Sequence, residues 1–199
     1  MGNRSSEEFA MRKAITKWGR KRWLDARVVH ELVVGNTKRI DMAFIGPDYL
    51  VGVEIKSSKD TLDRLEDQLK CFSACVPLTI LAIAPKWKQN VGQWVNVETL
   101  VVDPSGEEPV RGCQHFRYDR VITVPLLYHL WARELRNVAA RLRISTSQRA
   151  TMRQNIADIA RRATGDEIVR EVCRELRARD AFPKADCHPP SDAPIREAV

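Results

Sequence analysis

The chain contains no apolar run approaching the length of about eighteen residues needed to cross a bilayer. Its first residues, Met1-Gly2-Asn3-Arg4-Ser5-Ser6, carry no apolar stretch of the secretory kind. A cytoplasmic protein without a membrane partner is expected. Cysteine is scarce: Cys71, Cys75, Cys113, Cys173 and Cys187 are odd in number and irregularly spaced. That excludes a fully paired disulfide framework and leaves free thiols as the expectation. Cys71-x-x-x-Cys75 with Cys113 and His115 supplies donors for a zinc or iron-sulfur site, but the spacing fits no standard knuckle, and packing of Cys71 and Cys75 within a helix is the simpler reading. His30 and His115 stand alone among possible general bases, and a lone histidine is more often structural. There is no internal repeat and no glycine-rich loop of the nucleotide-binding type.

What the chain does have is positive charge. Against 26 Asp and Glu stand 33 Lys and Arg, a formal net charge of +7 with a pI near 9.4. This suits a polyanionic partner such as nucleic acid, although a solvated cationic surface gives the same balance. At 199 residues the chain makes one domain, or one domain with an appendage.

The informative stretch is Val51-Gly52-Val53-Glu54-Ile55-Lys56. On a strand, side chains alternate between faces, so Val51, Val53 and Ile55 point toward a core while Glu54 and Lys56 share the other face, roughly 6.5 Å apart. Upstream, Arg39 to Ile45 reads as a second strand, joined through a Gly46-Pro47-Asp48 turn, which brings Asp41 beside Glu54. Two carboxylates can hold a hard divalent ion through oxygen at about 2.1 Å. An ammonium beside them can orient water and offset charge developing on phosphorus.

Asp41, twelve intervening residues, Glu54-Ile55-Lys56 and a following helix with Gln68 resemble the PD-(D/E)xK nuclease superfamily. Within it, Lys38-Arg39-Ile40-Asp41, Glu54-Ile55-Lys56-Ser57-Ser58, Asp60-Thr61-Leu62, Arg64-Leu65 and Gln68 look like bacterial MmcB-like proteins, which are associated with DNA repair. The likeness covers about residues 25 to 85. It implies an α/β fold with a restriction-endonuclease-like core: a helix, a three-strand meander, a helix and a strand, forming a mixed sheet flanked by helices. It also implies Asp41 and Glu54 as ligands of magnesium or manganese, with the Ile55 carbonyl as a third, and Lys56 as the catalytic lysine. Glu31 aligns with an acidic residue at the end of the relatives' first strand, where it binds metal or its water shell; a surface glutamate is the alternative. Gln68 would position phosphate or water, and Phe72 stands where some members have tyrosine, which leaves that helix motif incomplete.

Read in order, a helix is expected from Ser6 to about Trp18, its basic end a possible phosphate contact, and a first strand over 26 to 34. A helix capped by Asp60 or Thr61 should bury Leu62, Leu65, Leu69, Phe72 and Val76. Leu78 to Ala84 reads as a strand buried on both faces. Residues 86 to 119 support only a strand-like reading of 97 to 102; Trp87 and Trp94 either stack on bases or close the edge of the core. A helix from about Pro125 to Arg143, one from a Ser145-Thr146-Ser147 cap to Arg162, and one from Gly165 to Arg179 complete the regular structure. The organisation expected is therefore a nuclease-like core over 1 to 119, a basic helical C-terminal extension packed on it over 120 to 180, and a disordered proline-rich tail over 181 to 199.

Arg141, Arg143, Arg149, Arg153, Arg161 and Arg162 make that extension the richest in arginine. Arg149 and Arg153, with Lys38, Arg39 and Lys59 around the motif, are the expected contacts to nucleic acid. The function expected is a metal-dependent DNA nuclease, possible as a homodimer. The alternatives are a non-cleaving DNA-binding or repair-accessory protein on the same fold, and, more distantly, an interaction module whose basic helices bind an acidic partner.

Overall fold

A computed structural model describes residues 6–34, 38–90, 97–105, 108–113, 123–147 and 149–180. The readings made for Trp94, His115, Cys187 and the tail lie outside these residues, as does the Cys113 side chain.

The protein is α/β, with a mixed six-stranded sheet flanked by helices. Helix α1 (Ser6–Arg22) precedes strands β1 (Arg27–Val34), β2 (Lys38–Ile45) and β3 (Leu50–Lys56), which pair antiparallel as a meander. Helix α2 (Leu65–Cys75) then crosses over to β4 (Leu78–Ile83), parallel to β3. Strand β5 (Glu98–Val101) adds parallel to β4, and β6 (Val110–Cys113) closes the order antiparallel to β5. The helices α3 (Thr123–Leu127), α4 (Ala132–Arg141), α5 (Met152–Arg162) and α6 (Gly165–Ala178) follow. No helix among the described residues is long and apolar enough to cross a membrane.

Two apolar layers sandwich the sheet. On one face Met11, Ile15 and Trp18 of α1 pack on Met42, Phe44, Val53 and Ile80. A Cβ at Gly19 would lie 2.2 Å from the Phe44 ring, so only glycine lets α1 come this close to β2. On the other face Val29, Leu32, Ile40, Ala43 and Phe72 join Leu126, Leu135, Val138, Ile156, Ile168 and Val172 in one continuous core. The C-terminal helices are thus built into the same interior as the sheet. Strand β4, buried along its whole length, is covered on both faces, as its unbroken apolar run requires.

Three helix boundaries differ from the sequence reading. The helix expected over 125 to 143 is two, because Trp131 is extended and Glu134 accepts the Trp131 N–H at 2.7 Å, starting a new helix. The apolar period runs through the break since both pieces bury the same core, so periodicity alone hides it. Helix α5 starts behind Thr151, whose hydroxyl accepts from Gln154 N while the Gln154 side chain accepts from Thr151 N, a reciprocal cap that displaces the serine cap expected at 145 to 147. Helix α2 begins at Leu65 with no side-chain cap. Asp60 instead accepts from the backbone N and hydroxyl of Ser57, at 2.8 and 2.7 Å, and fixes the turn leaving β3.

Candidate functional site

The site forms where β2 and β3 part. Their ladder ends at Met42↔Val53, and beyond it the Asp41 carboxylate takes the place of a backbone acceptor, Oδ2 receiving the Ile55 N–H at 2.8 Å. In the same region the face alternation slips. Val28 packs toward α1 and Val29 toward the helical layer, yet Leu32 faces the helical layer too; on β2, Met42 faces α1 while Ile40 faces the helices. The slip on β1 falls at Glu31, which holds φ at 61° in the left-handed region. That backbone strain is of order 1–3 kcal/mol for a residue with a Cβ and persists only where the surroundings over-determine it. Here it turns the Glu31 carboxylate toward Arg12.

Glu54, 3% exposed, is the most enclosed acid of the group. Its Oε1 accepts from Lys56 Nζ at 2.8 Å and from Gln68 Nε2 at 2.9 Å, and Lys56 Nζ also donates to Gln68 Oε1 at 3.0 Å. Helix α2 delivers Gln68 into this triangle, one step off its apolar stripe of Leu65, Leu69 and Phe72. Oε2 of Glu54 is buried and meets no donor. Burial, first, and then the adjacent Asp41 charge push the Glu54 carboxyl up to about 8, against the pull of Lys56. Asp41 is also raised, chiefly by burial, with the Ile55 N–H and Arg12 opposing. The two carboxyl groups approach within hydrogen-bonding range, but neither ionised group brings a hydrogen. Lys56 on Glu54 and Arg12 on Asp41 offset part of that repulsion, and a shared proton or a further cation would offset more.

The expected residues Asp41, Glu54, Ile55, Lys56 and Gln68 are therefore together. Glu31 is beside them, but both its oxygens are engaged: Oε1 accepts from Arg12 at 3.0 Å, and Oε2 pairs with Arg39. Among the described residues no group of three or more His, Cys, Asp or Glu is disposed to hold a metal ion. Of the donor set that the resemblance implies, Asp41 and Glu54 are adjacent and Glu54 Oε2 is unmatched, which would suit an ion.

Sequence reasoning missed Arg12. It belongs to the basic residues of α1 whose expected place is a phosphate contact or solvent, but it is 4% exposed and reaches Glu8, His30, Glu31 and Asp41. His30 thus has a partner. The signal was present: Arg12 shares the buried face of Met11, Ile15 and Trp18, with Glu8 one turn earlier. Behind Lys56 the chain is clamped by Glu7, which accepts from the backbone and hydroxyl of Ser58 at 2.9 and 2.5 Å, and by Trp87, whose Nε1 donates to the Ser57 carbonyl at 2.9 Å. Trp87 also packs in the core, the reading that set it apart from base stacking.

The expected nucleic-acid contacts are scattered. Lys38 donates to the Asp67 carbonyl at 2.8 Å and Arg39 pairs with Glu31. Lys59 is exposed in the turn after β3; Arg149 is exposed before α5 and Arg153 on it. Arg141, counted with the basic surface, is tied to Glu171 and Glu175 at 2.5 Å each and serves the helical packing.

Fold and site define an α/β protein with a mixed sheet whose splayed strands enclose an acid-lysine cluster. Residues 1–184 match the family described as Bacteriophage P4 protein cII, and the chain belongs to that family. Protein cII of Enterobacteria phage P4 is 34% identical over 99 residues, which make up 48% of this chain and 37% of the phage protein. The chain thus matches little more than a third of that relative's length. Among solved structures, the SPO1766 protein of unknown function from Silicibacter pomeroyi is similar over 70% of this chain and 94% of its own, at 16% identity and a TM-score of 0.43.

Proposed function

We propose that this chain is a metal-dependent DNA nuclease of the restriction-endonuclease-like type, hydrolysing phosphodiester bonds with magnesium or manganese in DNA repair, recombination or the processing of phage and mobile-element DNA. The observation that carries this reading is the buried Glu54 Oε2, unmatched beside Asp41 and flanked by Lys56. An enclosed acid pair that needs a cation, with an ammonium beside it, is what in-line attack of water on a backbone phosphate requires.

In this reading Asp41, Glu54 and the Ile55 carbonyl hold the ion, which supplies Lewis-acid polarisation of a phosphate oxygen. Gln68 fixes the Glu54 carboxylate and the Lys56 ammonium in one plane of contacts. Lys56 uses two donors on Glu54 and Gln68, and its third is available to an attacking water or a phosphate oxygen. No covalent intermediate on the protein is involved. Cleavage of single-stranded, duplex and branched DNA, with and without magnesium, compared between the wild type and Asp41→Asn, tests the proposal. Magnesium-dependent cleavage lost in the variant is expected; no cleavage of any form by the wild type overturns it.

A second reading, a non-cleaving DNA-binding or repair-accessory protein on the same fold, is favoured by one observation. Arg12 already neutralises Asp41 and Glu31. Salt-dependent DNA binding without cleavage would single it out.

A further inference from the structure

Arg12 has five N–H donors and all five are used. Nε donates to Glu8 at 2.8 Å; one terminal nitrogen donates to His30 Nδ1 at 3.2 Å and to the Asp41 carbonyl; the other donates to Glu31 Oε1 and Asp41 Oδ1, each at 3.0 Å. A guanidinium so saturated and so buried has nothing left for a substrate phosphate. Because it cannot be deprotonated, it is a fixed charge between the acids of β1 and β2.

We infer that Arg12 is the permanent second cation of the site, a positioning residue that occupies the space between Asp41 and Glu31 and restricts the cluster to a single divalent ion. This rests on the metal-dependent reading proposed above. Three observations support it. Both oxygens of Glu31 face a guanidinium, whereas Asp41 faces one on Oδ1 alone and a neutral backbone N–H on Oδ2, so a divalent ion is repelled more strongly beside Glu31 than beside Asp41. Each Asp41 oxygen has accepted one hydrogen bond and retains a lone pair, whereas Glu54 Oε2 has accepted none, so the remaining ligand capacity lies on the Glu54 side. The charge balance agrees as well. When all are ionised, the acids Glu8, Glu31, Asp41 and Glu54 outnumber the bases Arg12, Arg39 and Lys56 by one. One divalent ion turns the cluster to a single positive charge, matched to one phosphodiester. A second would have to sit against the Arg12 guanidinium.

The test is a titration with manganese, the free ion followed by electron paramagnetic resonance at fixed pH and ionic strength. Wild-type protein should bind one ion per chain, and Asp41→Asn should weaken binding by more than about tenfold, as loss of a ligand does. Glu31→Gln should still bind one. Arg12→Met should bind two, since Glu8, Glu31 and Asp41 then lose the charge they share and Glu31 keeps Arg39, and Arg12→Lys should restore a count of one. Should Arg12→Met not fold, the wild type and Glu31→Gln decide the matter. Two ions in the wild type, or loss of the ion in Glu31→Gln, overturn the inference while leaving the metal-dependent reading standing. No binding by the wild type at millimolar manganese removes that reading and this inference with it.

Discussion

Two clusters among the described residues bury an acid against a base, and the two are built differently. In the helical layer Glu134, 8% exposed, receives Arg179 through both oxygens, at 2.7 and 2.6 Å, and Oε2 also takes the Trp131 N–H. Arg179 completes the set with the His129 carbonyl at 2.7 Å, a group freed by the break between α3 and α4. Every carboxylate oxygen there has a donor. At the parting of β2 and β3, by contrast, Glu54 has one oxygen with two donors and one with none, and the neighbour of the unmatched oxygen is another acid. The first cluster is a closed structural joint. The second leaves a carboxylate oxygen without a donor, which is the feature the proposed metal site would use.

The largest effect is expected in the closed joint. Arg179→Met leaves Glu134 buried without its counter-ion and should lower stability by about 3–5 kcal/mol, while combining it with Glu134→Gln, which keeps the cap on α4, should recover much of the loss. Thermal melts of the single and double variants check this. Equal melting temperatures for the wild type and Arg179→Met would mean that the two clusters do not differ in kind.

Next in size is Lys56→Ala. It should reduce cleavage by about two to three orders of magnitude, the scale seen when one charge-stabilising donor is removed from a site, and leave manganese affinity equal or higher. Single-turnover rates and the titration described above separate the two effects. Unaltered cleavage would take the catalytic role from this lysine.

These contrasts show which parts of the site could be read from the chain. Asp41, Glu54, Lys56 and Gln68 were legible because strand alternation, a short turn and helical spacing are local rules, and the resemblance rested on the same residues. The meander, α2 and β4 followed from apolar periodicity of 2 and 3.6 and from turn residues. Arg12 was legible only in part: the apolar face of α1 and Glu8 one turn earlier mark it as the buried arginine, but its partners Glu31 and Asp41 lie 19 and 29 positions away, beyond any local rule. The left-handed backbone at Glu31 was hidden for a like reason: it is stabilised by Arg12 and Arg39, contacts made only once the sheet has formed. Strand β6 was not read because two of its four residues, Arg111 and Gly112, carry little strand signal, and pairing with β5 decides its conformation.

A smaller effect should appear in the pH dependence of the metal-free protein. A carboxyl raised from 4.5 to about 8 on folding contributes stability that is fully present below about pH 4.5 and is lost as pH rises toward 8. Glu98, raised by burial, adds a slope of the same sign. In chelator, the melting temperature should therefore fall between about pH 5 and 8, and Glu54→Gln should flatten part of that fall and match or exceed the wild type at pH 8. Saturating manganese, by favouring the ionised carboxylate, should also flatten it, with proton release on binding that diminishes above pH 8. A fall that Glu54→Gln leaves unchanged would assign the slope to Asp41 and Glu98, which burial also raises.

The smallest effect concerns the surface. Arg149 and Arg153 are exposed near the start of α5, and on the proposed reading they would attract phosphate at long range. Neutralising both by alanine should weaken binding evenly across DNA sequences and reduce the slope of log affinity against log salt by about one to two. Cleavage at saturating DNA should not change, because both residues are exposed at the surface whereas Glu54 is buried. If slope and affinity are unaltered, the phosphate-facing surface lies elsewhere, and Lys59 in the exposed turn directly after Lys56 is the next substitution to make. A change in cleavage at saturating DNA would instead mean that the helical layer positions substrate over Asp41 and Glu54, which would join the two regions whose difference the buried clusters define.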